Sequence, residues 1–256
     1  MTSRRSARGL PSANPLYKEV KNRLMGGLVA GEWQPGQAIP SEGELAGRYD
    51  VSVGTIRRAV DELVSEKIVQ RRQGSGTYVT SHTEDRQLYY FFHIVGRDGT
   101  KEPPVHELKS FRRAAADRET ASRLGLARGE QVFQIHNVLK LGGRPAIFDE
   151  IALPAVNFPD LNARLFAERA STIYGMYQAR YGINVIRISE KLSAASATPR
   201  QAAALRIRPG APVLVIHRVA HTYHDTPVEY RVSCVNTERH EYSSDLWKAS
   251  AAGAAS

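Results

Sequence analysis

Two fifteen-residue stretches, LGLARGEQVFQIHNV at 124–138 and LRIRPGAPVLVIHRV at 205–219, coincide at an offset of 81 in Leu, Gly, Val, Ile, His and Val. A short helical stretch precedes each copy. A turn, a proline (Pro145, Pro227) and acidic strand residues (Asp149 and Glu150; Glu229) follow each one. Two copies are too few to stack as a solenoid, so the repeat predicts one domain with a pseudo-two-fold core. Alternating segments at 89–95 and 105–111 join the copies, with a turn at 97–99 and helices over 117–124 and 171–181. The expectation is an α+β domain over residues 88–247, antiparallel strands with helices on one face.

Residues 14–81 are punctuated differently. Leu16, Val20, Leu24 and Leu28 recur every four positions and make one helical stripe over 14–31. The Gly26-Gly27 pair inside it costs about 1 kcal/mol per glycine against alanine, so something must pack close to that backbone. After the Pro35-Gly36 break, Ser41 caps a second helix with Glu44 at the capping-box position. Ser52 caps a third, with Ile56, Val60 and Leu63 inward. Alternating segments at 68–72 and 77–80 flank Gln73-Gly74-Ser75-Gly76 and predict a β-hairpin.

Three short helices, the last two joined by a tight turn, form a helix-turn-helix, whose final helix offers its N-terminal residues to a DNA major groove. A hairpin beside it is a wing. The candidate DNA-binding residues are Ser41, Ser52, Val53, Gly54, Thr55, Arg57 and Arg58 on the helices, and Gln73, Gly74, Ser75, Gly76 and Thr77 on the wing. Wing glycines let backbone N–H groups approach phosphates closely. Charge agrees with this placement. Residues 1–82 hold 12 Lys+Arg against 8 Asp+Glu, and the much longer remainder holds 23 against 18. Excess positive charge is thus about twice as dense where a polyanion would bind.

The series Pro15-Leu16-Tyr17, Gly31, Pro35-Gly36, Pro40-Ser41-Glu42, Glu44-Leu45, Val51-Ser52, Thr55-Ile56-Arg57 and Gln73-Gly74-Ser75-Gly76-Thr77 resembles the winged-helix domain of GntR-family transcriptional regulators. In that family Val-Ser-Arg-x-Thr-Val-Arg supplies DNA contacts. Ser52, Thr55 and Arg57 match it, whereas Val53 stands where arginine is usual, so the family's operator sequence does not carry over.

The longer segment resembles the effector-binding UTRA domain of the HutC subfamily, a chorismate-lyase-like fold. The resemblance rests on Leu124-Gly125 with Gly129, Gly143-Arg144-Pro145, Leu153-Pro154, Phe158-Pro159-Asp160-Leu161, Tyr181-Gly182 and Pro227-Val228-Glu229-Tyr230. It implies a small-molecule effector and a homodimer on a pseudo-palindromic duplex DNA operator, with repression the commoner mode. Relatives that sense sugar phosphates carry Arg-x-Arg where this chain has Asn137 and Leu139, and losing both charged forks disfavours a sugar phosphate. The candidate effector-binding residues are His136, Asn137, Arg144, Asp149, Glu150, Thr172, Tyr174, Arg218, Glu229 and Arg231. Strand alternation alone leaves open whether His136 or Asn137 faces the ligand.

Other chemistries find less support. His217, His221 and His224 lack partner cysteines, so no metal is expected. There is no G-x-S-x-G elbow, Walker loop or dinucleotide fingerprint, and no cofactor is expected. One cysteine, Cys234, suits a reducing cytoplasm, and no apolar run approaches the ~20 residues of a membrane span. Residues 1–13 read as a basic solvated arm, 82–87 as a linker and 248–256 as a disordered Ala/Ser tail. A ligand-responsive transcription factor is therefore the leading expectation and an enzyme is not expected. The alternatives are lyase-like chemistry retained in the second domain, or DNA binding without a ligand.

Overall fold

The computed structural model describes residues 15–81, 91–170 and 172–244. The expected arm, linker and tail lie outside the described residues. The chain divides into two compact units, one ending at Thr80 and the other beginning at Ser81.

In the first unit, α1 (Leu16–Val29), α2 (Glu42–Tyr49) and α3 (Val53–Ser65) precede a hairpin of β1 (Val69–Arg72) and β2 (Gly76–Val79). Ser41 and Glu44 form the reciprocal capping box of α2, and Ser52 caps α3 through the Thr55 amide. Val20, Leu24 and Leu28 are buried together with Leu45, Ile56, Val60 and Leu63, while Leu16 is 53% exposed at the helix start. Of the two helix glycines only Gly27 is crowded: a Cβ there would lie 2.7 Å from the Trp33 ring, and one at Gly26 would meet nothing. Gly74 and Gly76 hold positive φ in the wing turn, a conformation that side chains disfavour.

The second unit is built on a six-stranded antiparallel sheet. Its strands are β4 (Val105–Ala115), β5 (Gln131–Leu141), β6 (Arg144–Pro154), β7 (Arg187–Ser196), β8 (Pro212–His221) and β9 (Pro227–Val235), in the order β4-β5-β6-β9-β8-β7. The sequence repeat is visible in this order. Each copy is a strand–helix–strand–strand unit, the first using α4 (Arg118–Leu124) and the second α7 (Pro199–Leu205). The copies meet at the central β6/β9 pair, where Glu150 opposes Val232. The equivalent helices are capped alike, by Asp117 and Thr198.

Helices cover both faces of the sheet, not the single face that the sequence suggested. Leu124 of α4 packs with Val132, Ala152 and Tyr230, and Ala202 and Leu205 of α7 pack with Val138, Phe148 and Cys234. The opposite face carries α5 (Ala163–Ala167) and α6 (Ile173–Tyr181), whose Phe166, Tyr174 and Tyr177 pack with Ile135, Ile151 and Ala220. The repeat accounts only for α4 and α7; α5 and α6 lie in the segment between the copies.

That second face also carries a two-stranded ribbon of β3 (Ile94–Gly96) and β10 (His240–Tyr242). The strand expected at 89–95 is shorter than its pattern, beginning only at Ile94 among the described residues. Phe91 packs with Tyr174 and its neighbours whereas Phe92 packs with Leu139 and Ile216. Consecutive residues thus enter two core clusters, so this stretch is held by side chains before it joins a ladder.

Candidate functional site

On the first unit, the N-terminal turn of α3 and the wing present the sequence-predicted residues outward. Ser52, Val53, Gly54, Arg57, Arg58 and Gln73 through Gly76 are exposed, and Thr55 and Thr77 are partly so. Ser41 hydrogen-bonds Glu44 at 2.7 Å within its capping box, and the Ser52 hydroxyl lies 2.9 Å from that of Thr55. Arg57 donates from Nε to Glu42 at 2.9 Å, and Arg71 of the wing reaches the other oxygen of the same carboxylate at 2.9 Å. Glu42 therefore ties α3 to the wing through two arginines, a positioning role that its place beside Ser41 hid. Arg58 turns back, its guanidinium 4.0 Å from the Tyr17 ring centre, and Arg72 sits 4.1 Å over Tyr78.

On the second unit, alternation sorts the predicted effector residues between the two faces. Asn137, Asp149, Arg218, Glu229 and Arg231 converge on the α6 face with Tyr174, and all six are buried. Glu229 accepts hydrogen bonds from Arg231 Nε (3.0 Å) and Tyr174 (3.1 Å) on one oxygen, and from the Arg231 terminal nitrogen (2.9 Å) and Tyr177 (2.7 Å) on the other. Burial pulls the Arg231 pKa down, but Glu229 and Asp149 beside it prevail and hold it well above its usual range. Burial, reinforced by Glu229, raises both tyrosine hydroxyls, so they stay protonated and donate.

Asp149 is held less completely. Ser233 donates to its Oδ1 at 2.5 Å and Arg231 stands 3.6 Å from Oδ2, which has no hydrogen-bond partner. Burial raises its pKa. Asn137, its partner across the β5/β6 ladder, likewise leaves Oδ1 buried and unbonded. The space beside Asp149, lined by Phe92, His93, Ile94, Arg218 and Arg231 among others, is about 20 Å³, room for little more than a water molecule.

Sequence reasoning missed several members of this cluster. Arg218 donates to Glu190 at 2.7 Å, and Glu190 also pairs with His93 at 2.9 Å and with Tyr242. Burial would raise Glu190, yet the hydrogen bond from His93 and the charge of Arg218 hold it at about 2. Arg169, whose pKa burial lowers to about 10, feels the charges of Asp149, Glu229 and Arg231 and leaves its Nε buried and unbonded. Tyr177 was findable, since it follows Tyr174 by one helical turn. Glu190, His93 and Tyr242 come from three distant segments and left no local signal.

Thr172 starts the helix that carries Tyr174, and the other three predicted residues lie elsewhere. His136 and Glu150 point to the α4/α7 face, 3.5 Å apart, with Arg200 of α7 donating to His136 Nε2 at 3.0 Å. Arg144 is exposed in the β5–β6 turn, where Gly142 and Gly143 supply two positive φ values. Thr172 caps α6 through the Gly175 amide. Among the described residues no group of three His, Cys, Asp or Glu is placed to hold a metal ion, and no helix is long and apolar enough to cross a membrane.

Comparison with known proteins places both units. The family model for bacterial regulatory proteins of the gntR family matches residues 16–79, and the UTRA domain model matches residues 101–241. A Shigella flexneri protein named as a probable transcriptional repressor of a fructoselysine utilization operon is 30% identical over 83% of this chain and 87% of its own length. The transcriptional repressor NagR of Bacillus subtilis is 28% identical over 89% of this chain and 93% of its own. Among solved structures, one described as the ligand-binding domain of a GntR-type regulator from Bordetella bronchiseptica superposes with a TM-score of 0.57 at 29% identity, covering 60% of this chain and 96% of that one. With both halves matched in order and a relative aligned along most of its length, this chain belongs to the gntR family of bacterial regulatory proteins, with a UTRA domain as its second unit.

Proposed function

We propose that this protein is a cytoplasmic repressor that binds a pseudo-palindromic operator as a homodimer and is released by a small molecule entering the α6 face of its sheet. The named relatives are repressors, and a winged-helix protomer reads only a few base pairs, so two are needed for useful specificity. Arg57, oriented by Glu42, together with Ser52, Val53, Gly54 and Thr55 forms the reading edge. The wing residues 73–77 approach the backbone.

The observation that carries the effector reading is the pair of buried, unbonded acceptors on Asn137 and Asp149 beside the Arg231–Glu229 ion pair. Buried acceptors without partners are costly and rare, so a site holding two side by side favours a ligand that donates hydrogen bonds, through hydroxyl or amino groups. Leu139 is buried in an apolar cluster, and Asn137 is neutral, so the phosphate-clamping arginines of sugar-phosphate sensors have no counterpart at these positions. A cavity of about 20 Å³ must open to admit such a ligand. Its cover is the segment carrying Phe92, His93 and Ile94, near the start of the second unit. Ligand binding would thus favour a conformation in which that cover is displaced. The resulting shift is limited by the ligand's differential affinity for the two states.

Selection from a pool of random duplexes with the full chain tests the DNA half. The expected result is enrichment of one motif with two related half-sites, and Arg57→Ala should weaken binding to it by about 1–3 kcal/mol. Failure of the wild type to enrich any motif would overturn the reading.

A further inference from the structure

The α4/α7 face of the sheet holds a second, larger space, about 290 Å³, separated from the buried cluster by the sheet itself. It lies over the pseudo-two-fold, with Glu150 and Val232, the residues opposed at the centre of the sheet, in its lining. The two repeats place equivalent groups around it. In the first, His136 stacks on Phe148 (20° between rings), and Arg200 lies over the same ring at 5.7 Å. In the second, His217 stacks on Tyr230 (23°), whose hydroxyl donates to Glu119 at 2.8 Å. Glu119 and Arg200 occupy corresponding places on α4 and α7, 81 residues apart. At that position the duplicated pattern carries opposite charges.

The consequence is a cleft with one mainly basic and one mainly acidic wall, Glu150 standing on the first and Arg123 lying 3.4 Å from Glu119 of the second, over a floor that includes Ala152 and Val232. Arg200, Arg112 and His136 line one part of it. Asp117 and Glu119 line another, and Glu150 lies 3.7 Å from Arg200. A simple anion would meet three carboxylates there and a simple cation would meet two guanidinium groups. A small molecule carrying both charges satisfies both walls. The volume sits at the small end of ligand pockets, which suits an amino-acid-sized compound. The side chains of Arg200 and Glu119 are 59% and 56% exposed, so they can exchange their present partners for a ligand at little cost.

We propose that this cleft is a second ligand site, distinct from the effector site on the opposite face, and that it takes a free α-amino acid with its carboxylate toward Arg200 and Arg112 and its ammonium toward Glu119 and Asp117. The site needs neither the operator nor the buried cluster, so its test is independent of both.

Isothermal titration of the full chain with each of the twenty proteinogenic amino acids reads binding directly. At least one should bind, and its deaminated and decarboxylated analogues should each bind at least about tenfold more weakly, because each leaves one wall unpaired. The exposed substitutions Arg200→Glu and Glu119→Lys should each weaken binding by a similar factor without disturbing the fold. Absence of binding by all twenty amino acids, equal binding of either analogue, or unchanged binding in both variants would overturn the proposal.

Discussion

Glu229 and Asp149 flank the same arginine, and the structure predicts that neutralising them has very different consequences. Glu229 is fully buried and accepts four hydrogen bonds, two from Arg231 and one each from Tyr174 and Tyr177. Glu229→Gln keeps the shape but turns one acceptor into a donor facing donors, and it leaves the Arg231 charge without its main counter-ion. Breaking one side of a buried ion pair costs roughly 3–5 kcal/mol. In a unit of this size each kcal/mol lowers Tm by about 2–4 °C, giving a fall of roughly 6–20 °C. Asp149 has one hydrogen bond, from Ser233, and a carboxylate that burial already disfavours. Asp149→Asn keeps an acceptor for Ser233 and removes the disfavoured charge, so its effect should stay within about 1 kcal/mol in either direction. Scanning calorimetry of the full chain measures both variants, with hydrogen exchange of the β9 amides confirming which unit has changed. Equal losses in the two variants, or a Glu229→Gln protein that melts with the wild type, would refute the assignment of Glu229 as the structural partner and Asp149 as the spare one.

Two further outcomes follow from the same contacts. Glu42→Gln loosens its hold on both Arg57 and Arg71 while removing a negative charge near the DNA-facing surface. Each exposed pair contributes about 0.2–1 kcal/mol. Binding to random duplex should therefore hold or strengthen while the specific-to-random affinity ratio falls a few-fold in a competition assay. An unchanged ratio would remove Glu42 from its positioning role. The pH dependence has a definite sign. Burial lowers the pKa values of His106, His136 and His221 below the ordinary histidine value, so near pH 6.5 the unfolded chain binds protons that the folded chain refuses. Stability contributed by these groups is present above that pH and is lost as the pH falls toward their folded values. Asp149, raised by burial, acts in the opposite direction, so Asp149→Asn should steepen the fall in Tm as the pH drops toward the ordinary carboxylate range. A shallower fall in the variant contradicts that sign.

What the sequence disclosed depended on how local the signal was. The caps at Ser41 and Ser52 and the turn at Gly74 are written into three or four consecutive residues, and the elements they bound lie close to where the pattern put them, whereas the capping role of Thr172 was not read from its sequence. The repeat at 124 and 205 was strong enough to fix a pseudo-two-fold sheet, but it was silent on α5 and α6, which belong to neither copy. Alternation guaranteed that His136 and Asn137 would part; only the packing of Tyr174 and Tyr177 against Glu229 shows that Asn137 takes the α6 face. Glu190 and His93 were illegible because their partners lie tens of residues away. Arg57 and Arg58 are adjacent in sequence, yet one faces Glu42 and the other Tyr17, a difference that helix geometry permits and tertiary contact decides.

The central claim is that a ligand on the α6 face controls DNA binding, and its most direct test is release of the full chain from its selected duplex, followed by fluorescence anisotropy across a panel of hydroxyl- and amine-bearing metabolites. The account predicts that at least one compound frees the wild type, and that the same compound at the same concentration leaves Asp149→Asn bound. If no compound frees the wild type, or if the variant is released as readily as the wild type, the account is contradicted.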